Sequence, residues 1–280
     1  MGTTGWIFIG LVVGKLGLEA TPMPLVLGAG ASMLMAIYSL TLPHTPPLAQ
    51  GEKFSVGSLF PREALSLLKE RSMAIFAIAS FLICIPLTFY FTFTNVFLNE
   101  SGVKNAAGKM TGGQLSELVC MLLIPFFFRR LGVKYMLAAG MLAWVLRYML
   151  FAYGNAGAGV WMFWGGILLH GICYDFFFVT GQIYIDRKAP PDVRSAAQGL
   201  IAFITLGLGM FVGSWVSGVL VDRFTLTAVN GAVTHDWRAV WLSAAVVSAV
   251  VLVAFLLIFS EKERRGAEFP VSKPMAGASL

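Results

Sequence analysis

The segment 72–98, SMAIFAIASFLICIPLTFYFTFTNVFL, carries no charged residue, and comparable runs recur along the chain. Each spans about 18–25 residues, which at ~1.5 Å rise per residue matches a hydrocarbon core about 30 Å thick. In lipid every backbone polar group must be satisfied within the protein, which leaves helices or a closed barrel. Long apolar runs, rather than short alternating ones, exclude an outer-membrane barrel. At 58% hydrophobic and 12% charged residues over 280 positions, the chain lacks the polar surface a soluble domain of this size needs. It reads as an all-α polytopic membrane protein that resides in a lipid bilayer.

About eight spans are predicted: 3–19, 22–42, 72–98, 107–128, 132–153, 158–186, 195–222 and 237–260. Between the second and third lies LPHTPPLAQGEKFSVGSLFPREALSLLKERS, polar and punctuated by Pro43, Pro46 and Pro47. This linker, 43–71, ends in a short amphipathic helix near 61–71. It divides the chain into a pair of helices (1–42) and a set of six (72–260), followed by a tail at 261–280. A pair, a linker and a set of six matches the back two-thirds of a twelve-helix transporter built from two halves of six.

Of the Lys and Arg residues in the connections, fourteen fall on one side and four (Lys104, Lys109, Arg223 and Arg238) on the other. The positive-inside rule makes the first side cytoplasmic. The tail, the linker and both termini are then cytoplasmic, and the chain belongs in the cytoplasmic (inner) membrane. Trp161, Trp164, Trp237 and Trp241 fall near outer helix ends, as an interfacial belt predicts. The net charge of +6 is spread over short loops with no basic stripe and interleaved aromatics, so a nucleic-acid partner is not expected. Cys84, Cys120 and Cys173 lie unpaired in apolar runs and read as small core residues, with no metal site.

An ionised side chain near the bilayer centre costs on the order of 2.5–3.5 kcal/mol even on the lenient insertion scale. Glu117, Arg147, Asp175 and, less so, Lys15 therefore call for an interior position, a watery cavity or a partner. In KMTGGQLSELVC, Gln114 and Glu117 are spaced i, i+3 and share a helical face. Glu117 lies about 12 Å in from Lys109, and Arg147 about 9 Å from the outer end of the next, antiparallel helix. Arg147 reads as a structural charge paired with Glu117, while Glu117 itself reads as functional. Asp175 is about 22 Å from the outer end of its helix, with His170 and Tyr174 spaced i, i+4 beside it. A lone histidine in an apolar helix is usually hydrogen-bonded core, but the trio together points to a site. In IPLTFYFTFTNVF, Pro86 is able to kink the helix. Thr88, Tyr90, Thr92 and Asn95 offer polar groups there, or simply bond back to their own helix. The chain has no GxxxxGK[ST], HExxH or GxSxG motif; neither enzymatic chemistry nor a cofactor is expected.

GTTGWIFIG, LPHTPP, GGQLSE, LAWVLRYMLFAYG, HGICYDFFFVTGQIYID and RSAAQGL together resemble the nucleoside:proton symporters of the major facilitator superfamily. Their order and spacing match over essentially the whole chain. The resemblance implies a major-facilitator-type bundle in which this chain corresponds to helices five to twelve, the fifth beginning near Gly2 and the first four absent. It implies a nucleoside and a proton as the transported partners. By motif it carries substrate-site roles onto Thr3, Trp6, Gln114, Glu117, Tyr174 and Asp175. His170 stands where some members have Tyr, and Thr88 and Phe91 occupy places where the family can use Gln and Asn. Carboxylates and the Gln114 amide suit ribose hydroxyls and base edges, while Trp6 and Tyr174 suit the flat face of a base. A carboxyl group taken out of water holds its proton more readily, so Asp175 or Glu117 is the expected coupling carboxylate. The alternatives are a major-facilitator carrier for a sugar or other small polar solute, or a truncated membrane protein that does not transport.

Overall fold

The computed structural model describes residues 2–44, 62–227 and 233–260; most of the 43–71 linker and the 261–280 tail lie outside the described residues. Helices α1 (Gly2–Lys15) and α2 (Met23–Ser39) come first. Then follow a short α3 (Arg62–Ser66), α4 (Arg71–Glu100), α5 (Ala106–Tyr153), α6 (Val160–Lys188), α7 (Arg194–Arg223) and α8 (Trp237–Ile258). Five helices, α4 to α8, are long and apolar enough to cross a membrane among the described residues. With α1 and α2 they form an all-α polytopic membrane bundle. A two-stranded antiparallel hairpin, β1 (Thr225–Thr227) with β2 (Val233–His235), joins α7 to α8.

The 48 residues of α5 make two membrane passes, because the helix breaks at Gly132, which adopts φ 65 and ψ 179. A positive φ is accessible to glycine because it lacks a Cβ. The neighbours show the reversal. Gly112 approaches Trp164 and Ile167, while Gly165 approaches Leu150; Phe127 meets Phe176, while Gly140 approaches Phe177. Residues on both arms, 106–131 and 133–153, thus lie at the same levels of α6, as an antiparallel hairpin requires. The spans predicted at 107–128 and 132–153 are these two arms. Helices α1 and α2 are shorter than the predicted 3–19 and 22–42, at 14 and 17 residues.

Without a hydrophobic driving force between helices in lipid, close approach and packing hold the bundle together. On α1, Gly10 and Gly14 form a GxxxG face against the start of α5. A Cβ at Gly14 would come within 2.0 Å of Asn105 Oδ1 and 2.5 Å of the Gly108 nitrogen. Asn105 caps α5 by accepting from the Gly108 N–H at 3.1 Å, a usual N-cap role. Glu19, in the α1–α2 turn, accepts from Asn95 Nδ2 (3.1 Å), Asn99 Nδ2 (3.3 Å) and the Ala107 N–H (3.0 Å). One carboxylate thus ties the turn to the end of α4 and the start of α5.

The core lies where α4, α5, α6 and α8 meet. Phe97 makes edge contacts with Phe163, Trp237 and Trp241 at 5.1–5.6 Å, and Trp241 stacks on Tyr148 at 5.6 Å. This corrects the belt expected from the sequence. Trp161 and Trp164 are exposed, but Trp241 is fully buried and Trp237 nearly so, because α8 turns that face onto α4 and α5. Trp237 Nε1 donates to Glu100, which also contacts His235. Lys15 is exposed at the end of α1 and bears no burial cost. Pro86 sits inside an unbroken α4; the Tyr148 hydroxyl donates to its carbonyl and Thr88 Oγ1 to that of Ile85. Cys84 and Cys173 are buried and Cys120 half-buried, all as free thiols.

Candidate functional site

Four helix segments meet at an open cleft of about 180 Å³ lined by Gly2, Thr3, Trp6, Phe91, Gln114, Glu117, His170 and Tyr174. The position of each side chain follows from local sequence. The α1 glycines bring Thr3 and Trp6 against the first arm of α5. Gly113 admits His170, since a Cβ there would lie 3.1 Å from that residue's Cβ. Gly171 is tighter: a Cβ would come within 2.5 Å of the Ser116 carbonyl oxygen and 2.8 Å of the Glu117 nitrogen. The approach is sealed by the Gly171 N–H, which donates to Ser116 Oγ at 3.0 Å; that hydroxyl donates in turn to the Gly113 carbonyl at 2.6 Å.

Glu117 lies at the centre of the cleft, with its side chain 14% exposed. Thr3 Oγ1 donates to its Oε1 at 3.2 Å, and His170 Nε2 stands 3.8 Å from its Oε2. Gln114 is buried one turn away, with its Oε1 unpartnered among the described residues. Aromatic surface surrounds this polar centre. Trp6 is 60% and Phe91 40% exposed. Tyr174 lies 5.8 Å from His170 between ring centroids. A flat apolar ring with a few polar groups at its edge is the ligand chemistry such a lining fits.

Seven of the nine side chains named from the sequence line this cleft, and two do not. Thr88 is fully buried, bonds to its own helix and packs against Gly213, where a Cβ would come within 2.6 Å of its hydroxyl. Asp175 is fully buried behind the cleft, and neither carboxylate oxygen has a hydrogen-bond partner among the described residues. It opens a π-helical turn, Asp175–Val179, a local widening that occurs often at functional positions.

The expected pairing of Arg147 with Glu117 is not observed. Arg147 is fully buried, but its Nε donates to the Gly166 carbonyl at 2.9 Å and its guanidinium lies over the Tyr90 ring at 3.4 Å. The second arm of α5 faces α4 and α6 at this level, which takes Arg147 away from the first arm's carboxylate. Asn95 bonds to Glu19 rather than joining the cleft. Sequence reasoning missed Glu19; the visible signal was an acidic residue in the short LGLEATP connection.

Residues 1–264 match the sequence profile of the family described as Nucleoside H+ symporter. The chain is 39% identical over 274 residues to the putative nucleoside transporter YegT of Escherichia coli (strain K12), covering 94% of this chain and 64% of that protein. It is 34% identical over 275 residues to the nucleoside permease NupG of the same organism, covering 94% and 65%. A crystal structure of a single-site mutant of nucleoside transporter NupG superimposes with a TM-score of 0.81 at 33% identity, over 92% of this chain and 66% of the other. The chain thus spans 64% and 65% of the lengths of these two relatives, and the shared architecture is the major-facilitator-type bundle. A profile match over nearly the whole length, with relatives above 30% identity, establishes that the chain belongs to the nucleoside H+ symporter family.

Proposed function

We propose that this protein takes part in proton-coupled nucleoside uptake by alternating access across the cytoplasmic membrane, with α1 and α2 belonging to one half of the carrier and α4 to α8 forming the other. The supporting observation is the convergence of Thr3, Trp6, Phe91, Gln114, Glu117, His170 and Tyr174 on one open cleft. A nucleoside is neutral, with ribose hydroxyls that need acceptors and a base that needs a flat face. Glu117 and Gln114 receive the hydroxyls and polar base edges, and Trp6, Phe91 and Tyr174 flank the base. The concentration of Lys and Arg on one side supports cytoplasmic termini.

Coupling is assigned to Asp175 or Glu117. Asp175 is buried with no hydrogen-bond partner among the described residues, and Glu117, which accepts from Thr3, is mostly buried. Both are costly places for charge, which suits a group that takes a proton from the outer side and gives it up on the inner side. Binding of proton and substrate to the same state then drives the exchange of access.

The test is uptake of labelled uridine in cells lacking their own nucleoside carriers, with and without a protonophore. Uptake above control that collapses with the proton gradient is expected, and Asp175→Asn or Glu117→Gln abolishes accumulation at the coupling position. Accumulation unchanged in both single variants would remove the coupling assignment. Inhibition by sugars but not by adenosine would replace the nucleoside with another polar solute.

A further inference from the structure

Beneath the cleft, three side chains from three helix segments stack in sequence. Arg147, on the second arm of α5, lies with its guanidinium carbon 3.4 Å from the Tyr90 ring centroid. Its Nη1 and Nη2 have no hydrogen-bond partner, and no carboxylate lies within ion-pair distance among the described residues. Tyr90, on α4, stacks on the His170 imidazole of α6, with centroids 5.1 Å apart and planes 24° from parallel. His170 Nε2 faces Glu117 Oε2 at 3.8 Å, while its Nδ1 is buried without a partner among the described residues.

A buried guanidinium with one hydrogen bond among the described residues is costly, and the face of a desolvated aromatic ring offsets part of that cost. The geometry points to Arg147 and Tyr90 as positioning residues: Arg147 clamps Tyr90, and Tyr90 fixes the plane of the His170 imidazole that meets Glu117 at the cleft. An imidazole on an sp³–sp² torsion has a broad rotamer well, so a ring lining an open cleft needs such backing to hold one plane. The nitrogen at the cleft edge of the ring, Nε2, then stands 3.8 Å from the Glu117 carboxylate. The ring that faces Glu117 at the cleft is thereby set by an arginine that is not among the residues lining it. This deepens the nucleoside reading and rests on it for the identity of the ligand.

The experiment combines a readout independent of substrate with one that depends on it. The chain has three histidines, so histidine-selective isotope labelling of the detergent-solubilised protein gives few resonances. That of His170 is the one lost in His170→Phe. Its ring protons carry a ring-current shift from Tyr90, retained in Tyr90→Phe, collapsed in Tyr90→Leu and displaced in Arg147→Gln. On the same samples uridine binding weakens about tenfold in Tyr90→Leu and Arg147→Gln, the scale of one lost well-placed contact. Binding stays near wild type in Tyr90→Phe, and Arg147→Gln adds no further loss in a His170→Phe background. An unmoved His170 resonance in Arg147→Gln, or an additive loss in the double variant, overturns the proposal. If Arg147→Gln does not fold, the Tyr90 pair decides, and Tyr90→Phe as impaired as Tyr90→Leu overturns it. Expected resonance shifts without uridine binding by the wild type would instead overturn the nucleoside reading and leave the positioning role standing.

Discussion

A single methyl group added at Gly171 strikes backbone rather than a movable side chain. The new Cβ would lie 2.5 Å from the Ser116 carbonyl oxygen, 2.6 Å from its carbon and 2.8 Å from the Glu117 nitrogen. Ordinary contact begins near 3.4 Å, so α6 and the first arm of α5 must separate by roughly 0.9 Å. Overpacking of this kind costs about 1–3 kcal/mol. The Gly171 N–H to Ser116 bond, now 3.0 Å, stretches past useful length and adds about 1 kcal/mol. Both terms act where His170 meets Glu117, so binding weakens along with stability. The assay is thermal unfolding in detergent with uridine binding on the same preparation. Gly171→Ala should lower Tm by at least several degrees, at about 2–4 °C per kcal/mol for a chain of this size. Gly218→Ala is the control: nothing among the described residues lies within 4 Å of a Cβ there, and replacing a mid-helix glycine is neutral or slightly favourable. A Gly171→Ala protein that melts and binds like Gly218→Ala would contradict the close approach of α6 to α5.

Other expectations are read in the same two assays. Thr3→Val removes the donor to Glu117 Oε1 while keeping the shape and should weaken uridine binding by about 1 kcal/mol; unaltered affinity would detach Thr3 from the site. Glu19→Ala leaves Asn95, Asn99 and the Ala107 N–H without their shared acceptor, a cost of about 1–3 kcal/mol, and an unchanged Tm would show that the α1–α2 turn is held by something else. Gly14→Leu cannot be seated against Asn105 and Gly108; it should displace α1 and with it Thr3 and Trp6, so uridine binding falls even where the α4–α8 bundle stays folded. Lys188 pairs with Glu70 near the surface, and Glu70→Gln should move stability by less than about 1 kcal/mol; a large drop in Tm would reveal a wider network at that end.

Sequence alone settled the solvent and the helices. Once the apolar runs place the chain in lipid, backbone hydrogen bonding leaves helix as the local answer, and length and charge mark out the spans. A boundary between two passes near 129–131 was legible, because Arg129 and Arg130 lie between two apolar runs; that the chain reverses at Gly132 was not. Most of the cleft was legible too, because a polar side chain inside an apolar helix stands out and its i, i+3 or i, i+4 neighbours share its face. Partners across helices were not legible. Whether Arg147 meets Glu117 or Tyr90, whether Trp241 faces lipid or Tyr148, and whether Thr88 reaches the cleft or its own helix depend on how each helix is rotated against its neighbours. In lipid that rotation is set by which faces approach closest. The contacts of Gly14, Gly113, Gly171 and Gly213, each able to admit a neighbour because it lacks a Cβ, were decided only by the tertiary structure.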